Sequence, residues 1–215
     1  MCFTILFRYF ALTFIIGLFL DGIISVLDAE TLAQHLQDDC EEIAISDCIL
    51  VSDSQNSLKR GTVEQIRPFN LAGECLPLCD GEIDLNQILN LDSFGNLQRE
   101  TIKDIEQVAN EREGHNQITS VCLVHENPMD KQLLLRWFSQ LVWEDEESEY
   151  FRTRGVIHVG NDIPFVLQQL NEMLDFAPMK DPWHGSPSSK LVITGRNLKV
   201  DSLMKGFKAC ELSST

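Results

Sequence analysis

Chemistry in this chain would rest on a short list of residues. The five histidines are His35, His115, His125, His158 and His184, and no two stand at the i, i+4 spacing that places two imidazoles on one helix face. Packed or surface imidazoles are therefore expected. Seven cysteines are scattered along the chain, with Cys75-x-x-x-Cys79 the closest pair. A structural zinc needs a second pair of ligands nearby, and none follows. Phosphoryl transfer calls for G-x-x-x-x-G-K-[ST], because a glycine-rich loop and its lysine cradle the phosphates. No Gly-Lys-Ser or Gly-Lys-Thr occurs in the 215 residues. Acyl transfer on the strand–elbow–helix pattern calls for Gly-x-Ser-x-Gly, which is also absent. What is left is Gly195-Arg196-Asn197, set between a strand and a helix. The glycine would permit the angles of a sharp turn. Asn197 would cap the helix begun by Leu198. Arg196 would either grip a carboxylate of its own domain or face a partner.

The elements that position these residues follow from apolar periodicity. Arg154–Val159 and Phe165–Leu170 read as a hairpin, and Lys190–Thr194 as a further strand. Leu198, Leu203, Phe207 and Cys210 fall near helical spacing, so the last helix has one apolar face. Ile118–His125 reads as a strand, and Lys131–Trp143 as a helix faced by Leu133, Leu134, Trp137, Phe138 and Leu141. After that helix, Glu144-Asp-Glu-Glu-Ser-Glu reads as a solvated acidic loop. Residues 117–211 are thus expected to fold alone as an α+β domain with an antiparallel sheet against two helices.

The first half reads differently. Gly22–Leu27, Cys48–Val51 and Glu74–Leu78 read as strands. Ala29–Gln37, Cys40–Ile45, Ser57–Phe69 and Asp84–Leu91 read as helices, the last capped by Asp84. Such alternation implies parallel strands with crossover helices. Residues 92–116 are polar and read as a linker with a helical stretch around Arg99–Ala109. Met1–Leu20 is apolar with Arg8 its one charge. It reads as a signal peptide with a poor cleavage site, a borderline membrane anchor, or a buried strand and helix.

Composition narrows the partners. The formal net charge of −16 argues against nucleic acid or an anionic membrane surface as the main partner. Apolar content of 44% and charged content of 23% suit a globular chain. An odd number of scattered cysteines suits a reducing compartment, so the cytoplasm is expected, with membrane anchoring through residues 1–20 as the alternative.

One resemblance organises these readings. Arg154-Gly-Val-Ile, Trp183, Leu191-Val-Ile-Thr-Gly-Arg-Asn-Leu and Gly206-Phe207 together resemble the C-terminal domain of the CobW family, whose members include zinc-related GTPase metallochaperones. Asp21-Gly-Ile-Ile-Ser-Val-Leu-Asp-Ala and Gly81-Glu-Ile-Asp-Leu-Asn-Gln-Ile-Leu-Asn-Leu-Asp-Ser-Phe resemble the second half of the family's GTPase domain. The resemblance implies a partial GTPase-like α/β domain at 21–91 and a CobW C-terminal domain at 117–215. It further implies that residues 1–20 replace a nucleotide-binding segment, or that this segment is missing from the sequence. GTP, magnesium and zinc are the cofactors implied, and a client metalloprotein is the partner.

Several family features depart here. Relatives end the strand matching Cys48–Val51 with Asn-Lys-x-Asp, where the Asp reads guanine. Ser52, Asp53 and Gln55 stand at the Asn, Lys and Asp positions, a degenerate remnant without the anionic acceptor. The family's Cys-x-Cys-Cys metal motif is absent, the linker keeps only His115, and Asn171 stands where relatives often have histidine. Trp183, Gly195, Arg196 and Asn197 are then an interaction or structural motif. Three functions compete: an interaction module without nucleotide turnover, a GTPase metallochaperone, and a membrane-anchored form of the same domain.

Overall fold

The computed structural model describes residues 3–4, 21–36, 40–53, 58–91, 118–170, 173–179, 181–183 and 186–212. The chain divides into two compact units, residues 1–98 and 99–215. The expected helix around Arg99–Ala109, His115, Asn171, His184 and nearly all of the apolar N-terminus lie outside the described residues.

The first unit holds a four-stranded sheet in the order β1-β2-β3-β4. These strands are β1 (Phe3–Thr4), β2 (Ile24–Asp28), β3 (Cys48–Ser52) and β4 (Glu74–Leu78). β2, β3 and β4 run parallel, and β1 pairs antiparallel to β2. β3 is central and its Cys-Ile-Leu-Val run is buried throughout, as a strand covered on both faces requires. β4 is half-exposed and contains Pro77. A residue without a backbone N–H is tolerated at a sheet edge because it has no outer bond to give.

The crossovers are shorter than the sequence suggests. Among the described residues of the stretch read as Ala29–Gln37, the helix is α1 (Leu32–His35). The Asp28 carboxylate accepts the Glu30 N–H at 2.8 Å and folds the chain into a turn first. Then come α2 (Glu41–Ile45) and α3 (Arg60–Ile66). The expected helix over Asp84–Leu91 is a single 3-10 turn, Leu85–Gln87, although Asp84 does cap it by accepting from Asn86 N–H. Its Leu85 and Leu89 are more than half exposed, so no apolar face stabilises further turns. Asn70 fastens the α3–β4 corner. Its amide donates to the Ile43 and Ser46 carbonyls, both at 2.7 Å, and its oxygen accepts from the Ala72 and Gly73 N–H groups. All four hydrogen bonds of a buried amide are thereby used.

The second unit is a five-stranded antiparallel sheet, ordered β5-β9-β6-β7-β8. Its strands are β5 (Ile118–His125), β6 (Glu149–Ile157), β7 (Phe165–Leu170), β8 (Met173–Pro178) and β9 (Ser189–Arg196). Two helices, α4 (Lys131–Glu144) and α5 (Val200–Ala209), complete it. Asp130 caps α4 by accepting from the Gln132 and Leu133 N–H groups. One core joins Val121, Leu123, Leu191, Ile193 and Leu167 of the sheet to Leu134, Phe138, Leu203 and Phe207 of the helices. The architecture is an α/β unit with parallel strands followed by an α+β unit with an antiparallel sheet.

β8 escapes the sequence reading. Its alternation is there to see, with Leu174 and Phe176 packed against the core and Asp175 exposed between them. The masking influence is its position directly after β7, where two strands follow one another with hardly any turn punctuation.

Candidate functional site

The best-defined polar constellation is a clasp where β9 passes into α5. β9 is buried nearly to its end, and Arg196 is its last residue. Gly195 lies within the strand, opposite Tyr150 in the neighbouring β6. Its backbone does not take the left-handed angles of a turn. It is needed for another reason: a Cβ there would collide with the Glu149 carbonyl oxygen and crowd Leu198. The register between β6 and β9 shifts beside this point, between Tyr150 and Arg152. A bulge that brings one strand close to the next suits a residue without a side chain.

Asn197 supplies the turn itself, with φ of 56°. The expectation that it caps the helix is corrected by the structure. α5 begins at Val200, the cap position is Lys199, and no side chain caps it. Asparagine is one of the few non-glycine residues that accepts the left-handed region readily, and that is what the position demands.

The acidic run is exposed at Glu144, Glu146, Glu147 and Glu149, as its composition suggests, but the fold also pins it. The Asp145 carboxylate accepts from the N–H groups of Glu147 and Ser148 at 3.0 and 3.2 Å, and from the Tyr150 hydroxyl at 3.0 Å. Partial burial pushes the Asp145 carboxyl up, but these donors outweigh it and hold the group below its usual range. Ser148 Oγ donates to the Asn197 carbonyl at 3.1 Å, and Asn197 Nδ2 donates to the Glu147 carbonyl at 3.4 Å. Arg196 Nη1 meets Glu149 Oε2 at 2.5 Å, with its guanidinium 5.4 Å from the Phe151 ring centre. Lys199 pairs with Glu147, which raises the Lys199 pKa. Composition cannot show this, because the cations that face these carboxylates lie about fifty residues downstream. The clasp is fixed by charge pairing and turn geometry. It presents no nucleophile beside a base.

The other sequence candidates lie elsewhere. Trp183 donates its backbone N–H to the Asp162 carbonyl at 3.0 Å, and its ring stands edge-on to His158 with centroids 5.9 Å apart. It holds a loop at the far end of the β6–β7 hairpin. His125 pairs with Glu211 and packs edge-on against Phe207. In the first unit, Ser52 ends β3, where its carbonyl accepts from Ala29 N–H. Asp53 is buried and pairs with Lys59 at 3.2 Å, so its charge is neutralised from the start of α3. Gln55 lies outside the described residues. Cys75 and Cys79 form no disulfide, and burial raises the Cys75 pKa.

The described residues show no prepared site for the cofactors implied by the resemblance. A phosphate would need free backbone N–H groups at a strand-to-helix turn. After β2 the Asp28 carboxylate takes that place, and its charge would repel phosphate. Among the described residues, no three His, Cys, Asp or Glu side chains gather to hold a metal ion.

Comparison with known proteins places the domain. Residues 118–211 match the cobalamin synthesis protein cobW C-terminal domain, a span covering β5 through α5 and the clasp. Over that span the chain is similar to the CobW family. It is 23% identical over 225 residues to zinc-regulated GTPase metalloprotein activator 1 of Schizosaccharomyces pombe, an alignment covering 83% of this chain and 53% of that protein. The chain therefore spans about half the length of that relative. Its fold is similar to that of the Zn(II)-bound YjiA GTPase of E. coli, with a TM-score of 0.72 at 19% identity over 90% of this chain and 62% of the other. A Zn(II)-bound triple mutant of YjiA matches at 0.73. The chain is thus related to CobW-like zinc-regulated GTPase metallochaperones. Among the described residues, no helix is long and apolar enough to cross a membrane.

Proposed function

We propose that these residues act as a protein-interaction module of the metallochaperone type, docking a client metalloprotein without turning over nucleotide. The observation that carries the reading is the contrast between the two units. The second unit has a complete core, a capped α4 and a clasp that pins the acidic loop. The first unit carries no Gly-Lys-Ser or Gly-Lys-Thr, and Asp53, at the Lys position of the guanine motif, is already paired to Lys59. Binding needs a rigid surface, whereas phosphoryl transfer needs positioned phosphate contacts and magnesium ligands.

The cytoplasm and a zinc-dependent client are the setting this reading implies, with membrane attachment through residues 1–20 as the alternative. Two measurements on the full chain test it together. GTP hydrolysis should stay at the level of a blank. A panel of purified zinc metalloproteins should include at least one that binds saturably. Turnover that co-purifies with the chain and survives controls for contaminating GTPases would favour the GTPase metallochaperone instead.

A further inference from the structure

The clasp sits at one end of a groove in the second unit. The groove runs between α4 and α5, has a volume of roughly 580 Å³ and is open to solvent. Trp137, Leu141 and Gly206 form its apolar part. Gly206 lies in the middle of α5, where glycine weakens a helix by roughly 1 kcal/mol relative to alanine. Close approach accounts for it: a Cβ on Gly206 would overlap the Trp137 indole nitrogen. The missing side chain lets the indole pack directly against α5 in this trough.

The trough has a direction. Leu133, Trp137, Leu141 and Glu144 recur at spacings of three and four, so they share one stripe of α4 over roughly 16 Å. Leu133, at the N-terminal end of the stripe, is 40% exposed. At the other end stand Glu144 and Asp145, with exposed Glu146 next in sequence. Lys205 is the one cation lining the groove, and the chain as a whole carries −16. An apolar stripe closed by carboxylates complements a helix with an apolar face and basic residues at one end.

We propose that the α4–α5 groove binds an amphipathic helix of the client protein, its leucine-type side chains over Trp137 and Leu141 and an arginine or lysine over Glu144 and Asp145. This rests on reading the second unit as an interaction module. The test uses the full chain and a synthetic helical peptide of about 14 residues, with leucines at i, i+3, i+4 and i+7 and two terminal arginines. A control peptide carries glutamates in place of those arginines. Titration followed by amide and indole NMR should shift the Trp137 indole and the Gly206 amide. Both the glutamate peptide and the Glu144→Lys variant should bind about ten-fold more weakly.

Several results would overturn the proposal. One is the absence of shifts at millimolar peptide, and another is shifts confined to other surfaces. Affinity indifferent to both charge changes would also count against it. So would movement of the same signals on simple dilution, since the occupant would then be a second copy of the chain. A client that binds the chain but neither competes with the peptide nor senses Glu144→Lys would sink the groove while leaving the interaction reading standing.

Discussion

Asn197→Ser discriminates sharply between two accounts of the β9–α5 junction. Serine is as good a helix cap as asparagine, and glycine in a cap costs only a few tenths of a kcal/mol. A capping Asn197 would therefore tolerate either substitution. The structure assigns the residue a left-handed backbone instead, with φ of 56°. There an ordinary L-residue costs roughly 1–2 kcal/mol, asparagine less, and glycine nothing. Both variants also lose the 3.4 Å bond to the Glu147 carbonyl, an exposed and long contact worth at most a few tenths of a kcal/mol. The expected loss for Asn197→Ser is therefore about 1 kcal/mol, while Asn197→Gly stays within about 0.5 kcal/mol of the parent. Urea unfolding followed by tryptophan fluorescence suits the test, because Trp137, Trp143 and Trp183 all lie in the second unit. A loss of this size lowers the melting temperature by about 4 °C in a domain of this length. A serine variant as stable as the parent, with the glycine variant clearly weaker, would refute the left-handed assignment.

Two further outcomes follow from the same corner. Arg196→Ala removes the pair with Glu149 and the guanidinium packed over Phe151, so stability should fall by about 1 kcal/mol, and by less in 0.5 M salt where the exposed carboxylate is screened; an unchanged unfolding curve would mean that neither contact stabilises the domain. Burial pushes the Tyr150 phenol up to about 12. Its folded pKa lies above the unfolded value near 10, so its contribution is complete below pH 10 and is lost as pH rises through 12; ultraviolet titration of the folded chain should show one phenol ionising late, and a midpoint near 10 would contradict the burial.

How much of this was legible in advance depends on the range of the interaction. Apolar periodicity is a local property, and it was enough to place Ile118–His125, Glu74–Leu78 and the Lys131 helix within a residue of where they stand. The buried run of β3 and the alternation of strands and helices announced a parallel sheet, because a strand covered on both faces must be apolar throughout. The family resemblance rested on clustered residues of the same stretch, and it covers the domain matched over 118–211.

Helix length and cap position were not legible, because each depends on contacts the periodicity does not contain. α1 is short because Asp28 folds the preceding residues into a turn. The Leu85 turn stops early because its leucines meet no core. Gly195 looked like a turn glycine and is a packing glycine, since only the register of β6 beside β9 brings the Glu149 carbonyl against it. The acidic run is exposed as it looked, but its pairing with Arg196, Asn197 and Lys199 across about fifty residues could not be read from it. Which segments bury their apolar faces is written in their spacing along the chain. Tertiary structure alone decided which charges meet and which glycines are crowded, because those depend on residues distant in the chain becoming neighbours in space.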